Sequence, residues 1–196
     1  MKILDNFLAE EDFKPIQSYF FKQLSWKYID KIVGYNAANE DKNENEDCYQ
    51  FVHTFKCAND PYLQYSPSEH SHILKPFFIK LAPWIVLRAK ANLRPISPTH
   101  IHSAFHTDLG HIGNKTAIFY LNTCNGYTLF KDSTKVLSVE NRLIIFDGST
   151  LHCGASCTDQ KARIVLNVNY IPGQIADNTP YIPDESVCGL PTLVNF

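Results

Sequence analysis

The chain has 196 residues, 44% of them apolar and 13% aromatic, with a formal net charge of −2. That length and composition fit one folded domain with a full core and exclude a disordered chain. The near-neutral charge excludes a broad basic field for nucleic acid, and no apolar run approaches the roughly 20 residues of a membrane span.

The opening residues, MKILDNFLAEEDF, carry early acids and no long apolar run. They are not a secretory signal, so a cytoplasmic location is expected. Phe13, Ile16, Phe20 and Leu24 recur at helical spacing and predict a helix over 13–24. Glu10, Glu11 and Asp12 suit its N-terminus, and Pro15 predicts that it starts or bends there. A strand is predicted at 26–33. Residues 36–47, NAANEDKNENED, hold five acids, one lysine and no apolar residue beyond two alanines. They read as a solvated loop, or as a mobile flap beside a substrate cleft that favours a basic substrate.

A second strand near 49–55 precedes a turn-rich stretch with Pro61 and Pro67. A second helix is predicted over 69–81, with Ile73, Phe77 and Leu81 on one face and Pro83 ending it. From Trp84 short strands follow at 84–93, 99–107, 116–122, 127–131, 134–139, 142–147 and 161–171. Asn125-Gly126, Asp132-Ser133 and Asp147-Gly148 are the turn signals. Prolines 172, 180, 183 and 191 predict an extended tail. The six cysteines form no C-x2-C pair and read as free thiols in a reducing compartment. Two helices followed by seven or eight short strands predict a mostly β fold, a sandwich or barrel with helices packed on one face. One domain is expected over 1–196, with a helical and strand part at 1–83, a barrel core at 84–171 and a tail at 172–196.

The chemistry concentrates in His106-Thr107-Asp108, His152 and Arg163. Two imidazoles and a carboxylate make a three-ligand face for a divalent metal, the pattern of non-haem Fe(II) oxygenases. A lone H-x-D is weak evidence in a chain with eight histidines. On a strand over 99–107, however, His106 and Asp108 share a face and reach one metal together. Arg163 supplies a fixed fork for a carboxylate. On its strand Ile164, Leu166, Val168 and Tyr170 share one face, and Arg163, Val165, Asn167 and Asn169 the other. The apolar face then packs under helices and the polar face lines a hydrated cavity.

From about Trp84 to Ile171 these motifs resemble the Fe(II)/2-oxoglutarate dioxygenases, in the branch of the prolyl hydroxylases. The resemblance runs through His106-Thr107-Asp108, Tyr120-Leu121-Asn122, Asn125-Gly126-Tyr127-Thr128-Leu129-Phe130, His152 and Arg163. Asn125 stands where the family has the first of two glycines, a mild change because Asn tolerates left-handed turns. The chain also resembles small oxygenases of marine bacteriophages, which would place it in a host cytoplasm. The family implies a double-stranded β-helix, a jelly-roll or cupin-like barrel. It implies Fe(II) on His106, Asp108 and His152, and 2-oxoglutarate with its distal carboxylate on Arg163 and Tyr120. Thr128, Asn92 and Asn167 are further candidates for the cosubstrate pocket. O2 is the oxidant and ascorbate a supporting reductant. The expected substrate is a prolyl residue of a peptide or protein, and the expected state a monomer. The nucleic-acid branch carries a second arginine where this chain has Asn169, so no nucleic-acid substrate is expected. The alternatives are a hydroxylase of a small molecule or nucleobase, a non-catalytic metal-binding barrel, and a zinc hydrolase on the same three ligands.

Overall fold

The computed structural model describes residues 1–30, 32, 48–58, 68–109 and 113–173. The acidic segment 36–47, Pro61, Pro67 and the tail beyond 173 lie outside them. Among the described residues, ten strands form two antiparallel sheets. In chain order they are β1 (Lys2–Leu4), β2 (Lys27–Ile29), β3 (Gln50–Cys57), β4 (Pro83–Pro95) and β5 (Lys115–Tyr120). Then come β6 (Tyr127–Phe130), β7 (Lys135–Leu137), β8 (Leu143–Asp147), β9 (His152–Gly154) and β10 (Ala162–Pro172). The large sheet runs β1-β8-β5-β10-β4-β3-β2 and the small one β7-β6-β9.

Two cores sit on opposite faces of the large sheet. On its outer face lie helix α1 (Glu10–Lys22) and helix α2 (Lys75–Leu81), with Phe13, Phe20, Phe77 and Phe119 among a fully apolar cluster. Alternation selects Ile164, Leu166, Val168 and Tyr170 of β10 for that cluster. On its inner face Ile118, Tyr120, Ile144, Phe146 and Val165 meet Phe130 and Val136 of the small sheet. The two sheets therefore close face to face, as the expected jelly-roll requires. β10 is a central strand paired to β4 on one side and β5 on the other. Its polar residues thus face the interior between the sheets rather than solvent.

Three local expectations are corrected. Helix α1 begins at Glu10, not near Pro15, and runs through that proline. Burial of Phe13, Ile16 and Phe20 outweighs the one backbone bond that the ring removes. The helix expected over 69–81 is divided into a 3-10 turn at Glu69–Leu74 and α2 from Lys75. Pro76 explains the restart, since its missing N–H is tolerated only in a first turn. The segment 99–107 is not a continuous strand. It touches the small sheet at two isolated bridges, His102 to Ala155 and His106 to His152.

Candidate active site

The second bridge builds the site. The amide of His106 donates to the carbonyl of His152 at 3.0 Å, and the amide of His152 returns the bond at 3.0 Å. Main-chain pairing thereby sets two imidazoles side by side, with ring centroids 4.8 Å apart. The Nδ1 of His106 lies 2.9 Å from the Ala104 carbonyl, and that of His152 3.0 Å from the Thr150 carbonyl. A carbonyl only accepts, so each Nδ1 carries a proton and, in the neutral ring, each Nε2 presents a bare lone pair. Those Nε2 atoms face Asp108, at 4.0 Å from Oδ1 and 3.6 Å from Oδ2. The three ligand atoms all lie within 4.8 Å of one another. Two neutral imidazoles and a carboxylate in this tautomer fit a divalent transition metal.

Asp108 is buried and held from the large sheet. Arg88 donates to Oδ1 at 2.7 Å, and Thr116 and Asn169 donate to Oδ2 at 3.1 and 3.2 Å. Asn167 donates to both oxygens. Burial alone would raise this carboxyl. The charge of Arg88, the two histidines and the Asn167 bond outweigh it and hold the group well below the usual carboxylate range. Burial also lowers the affinity of His152 for a proton, which keeps it in the ligating form. Arg88 and Thr116 are contacts of Asp108 that the sequence reading missed, and Asn169 is one that it placed on the cavity face without a role. Their signal is parity, because each lies on the inward face of β4, β5 or β10.

A cavity of about 480 Å³ opens beside these ligands, within the range of small-molecule sites. His106, Asp108, His152, Arg163, Thr128, Asn92 and Asn167 all line it. Arg163 is buried and donates to the Thr128 hydroxyl at 3.1 Å. Tyr120 lies behind this pair: its hydroxyl donates to the same Thr128 oxygen at 2.8 Å, and its ring packs under the guanidinium. With both lone pairs of Thr128 engaged, its own hydroxyl proton is left to donate elsewhere. His100 and His102 share the parity of His106 but are engaged by the Ser156 carbonyl and the Tyr127 hydroxyl.

The remaining wall is β4, whose inward residues Arg88, Lys90, Asn92 and Arg94 all line the cavity. Arg94 is buried and donates to the Gly154 carbonyl at 2.6 Å. Burial, then the neighbouring Arg88 charge, pushes the Lys90 ammonium down to about 8. A folded-state value below the unfolded one means that Lys90 opposes folding below pH 8, and that this penalty fades as pH rises toward the ordinary lysine value. Lys90→Met should therefore stabilise the metal-free protein at pH 7 by on the order of 1 kcal/mol. The gain should vanish near pH 10 in thermal melts.

No protein-family model matches the sequence, and no curated protein matches it. Solved structures do. SnoK, a non-haem alpha-ketoglutarate-dependent carbocyclase from nogalamycin biosynthesis, superposes with a TM-score of 0.56 at 13% identity, over 87% of this chain and 78% of that one. A 2OG-Fe(II) oxygenase family oxidoreductase from Burkholderia pseudomallei gives 0.53 at 10% identity, over 86% and 84%. A prolyl hydroxylase from Trichoplax adhaerens, solved with a peptide fragment of the hypoxia inducible factor oxygen degradation domain, gives 0.52 at 12% identity, over 87% and 82%. The chain has the fold of these proteins.

Proposed function

We propose that this protein is an Fe(II)- and 2-oxoglutarate-dependent dioxygenase that hydroxylates a substrate C–H bond. The observation that carries the reading is the pairing of two features in one cavity. One is the His106, Asp108 and His152 cluster with bare Nε2 atoms. The other is a buried arginine with a hydroxyl beside it. A hydrolase on the same three ligands has no use for the second feature.

His106, Asp108 and His152 would hold the iron. When bound, iron and 2-oxoglutarate supply O2 activation, with the keto acid oxidised to succinate and CO2. The chain's own residues bind and orient. Arg163 takes the distal carboxylate of 2-oxoglutarate through its fork, and Thr128 donates its free hydroxyl proton to the same group. Tyr120 fixes Thr128 and supports the guanidinium from below, so it acts through its neighbours. The charge of Arg88 keeps Asp108 ionised, and Asn167 and Asn169 orient it. Asn92 borders the cosubstrate channel. The apolar wall of Ile118, Phe146 and Val165 limits water.

The test is succinate formation from 2-oxoglutarate with Fe(II), ascorbate and O2, measured with and without a chelator. No chelator-sensitive succinate above background would reject the reading. For the substrate, the sequence resemblance favours a prolyl residue, and the Trichoplax neighbour was solved with a peptide. SnoK, a carbocyclase, shares the fold equally well, so the cavity itself must discriminate.

Gly126 bears on the arginine. A Cβ placed there would sit 2.6 Å from Cδ of Arg163 and 3.1 Å from the Ser156 carbonyl. Gly126→Ala should displace the guanidinium and raise the KM for 2-oxoglutarate about tenfold, with metal affinity unchanged. Steady-state kinetics beside a metal titration checks this, and an unaltered KM would show that the arginine has another route.

A further inference from the structure

The cavity is far more basic than the molecule. Among the described residues that line it, Lys27, Arg88, Lys90, Arg94 and Arg163 face a single acid, Asp108. The whole chain, by contrast, has a formal net charge of −2. Arg88 is matched by Asp108 at 2.7 Å. The two charges of a ferrous ion and the two of 2-oxoglutarate offset one another, so filling the site with both leaves the other four cations uncompensated. Arg163 takes the distal carboxylate of the cosubstrate, and that leaves Lys27, Lys90 and Arg94 without an anion.

Their placement separates two directions. Arg163 lies four residues along β10 from Asn167, the residue that holds Asp108. Lys90 lies across the sheet from the same Asn167, on the neighbouring strand β4, and Thr54 of β3 follows on its far side. Lys27 stands on β2, exposed at the mouth. Lys90 makes no hydrogen bond among the described residues, whereas Arg88, Arg94 and Arg163 each have a partner. An ammonium in a cavity wall without a partner has lost part of its water with no return, unless a ligand supplies the counter-charge.

We propose that the primary substrate is a small anionic molecule, carrying a phosphate or carboxylate that seats on Lys90 with Lys27 guiding it in. This rests on the dioxygenase reading and names the substrate class for the same site. The cosubstrate lies along β10 toward Arg163 and the substrate enters across β3 and β4. One strand spacing, about 4.8 Å, separates the Lys90 and Asn167 backbones. An anion there would sit one strand away from the residue that holds Asp108. The half-buried position of Lys90 favours a free small acid over a side chain on a bulky protein. Depressed proton affinity at Lys90 agrees with a cation waiting for its partner.

The test is calorimetric binding to anaerobic protein loaded with Fe(II) and saturating 2-oxoglutarate. The probes are glycerol phosphate against glycerol, butyrate against butyramide, and a hepta-glutamate peptide. The phosphate and carboxylate pairs distinguish the two sources of the anion. Wild-type protein should bind at least one small anion and neither neutral counterpart, more weakly as salt rises. Lys90→Gln should weaken that binding about tenfold and Lys27→Gln a few-fold, while the Kd of 2-oxoglutarate moves less than twofold. Lys27 is exposed, so its variant keeps the test open if Lys90→Gln folds poorly. Equal binding of anions and neutral counterparts, or a Lys90→Gln effect on 2-oxoglutarate instead, would overturn the proposal. So would binding of the peptide alone. A wild-type protein that bound the anion through Lys90 yet failed to bind 2-oxoglutarate with metal would uphold the anion site and reject the dioxygenase.

Discussion

His106→Ala and Asp108→Ala should each reduce Fe(II)-dependent consumption of 2-oxoglutarate to background. Each removes one of three protein ligands, and two ligands rarely hold this ion. The structure separates the variants in a second measurement. Asp108 is buried beneath Arg88, Thr116, Asn167 and Asn169. Its loss strands a guanidinium and three amide or hydroxyl donors, which should cost about 3–5 kcal/mol in thermal or denaturant unfolding. His106 is the more exposed ligand, and its backbone bridge to His152 survives the substitution. His106→Ala should therefore unfold close to wild type, within about 1 kcal/mol. Both variants should lose metal in a binding titration. Undiminished turnover in either would sink the metal assignment, and equal destabilisation by both would show that the Asp108 network is not what secures the fold there.

Arg163→Ala should raise the KM for 2-oxoglutarate about a hundredfold while iron still binds. Breaking a charge-assisted pair in a buried site costs on the order of 3 kcal/mol, which converts to that factor. The metal ligands lie on other elements and make no bond to Arg163, so metal affinity should move less than twofold. Arg163→Lys should recover only part of the loss. The point charge remains, but the fork and its packing over Tyr120 do not. The measurement is the KM for 2-oxoglutarate in uncoupled decarboxylation, beside the metal Kd. A KM within twofold of wild type in the alanine variant would end the proposed role.

The strand carrying Arg163 was legible because its two faces differ so sharply. Ile164, Leu166, Val168 and Tyr170 enter the helix-side core as the alternation requires. The H-x-D triplet was legible for a partly mistaken reason. His106 and Asp108 do converge, but through an isolated bridge and a bend rather than the shared face of a continuous strand. His100 and His102 have the same parity as His106 but turn to other partners. The break at Pro76 was written in the sequence and outvoted by the spacing of Ile73, Phe77 and Leu81. Strand β1 is three residues long, too short for any periodicity, and exists because β8 offers it an edge. The basic wall of β4 escaped notice for a subtler reason. Its core-side positions include Ala89 and Ala91, whose small side chains give a weak apolar signal, so the charged alternates looked like an ordinary wet face.

That same economy has an evolutionary consequence. Ala89 and Ala91 are fully buried beneath the helices, and their small size lets the aromatic residues around them settle onto the strand. The side chains between them contribute nothing to that contact. Of the alternate positions, 88 and 94 are tied into the scaffold by Asp108 and the Gly154 carbonyl, so heritable change at position 90 alters the cavity wall at the least cost to the fold.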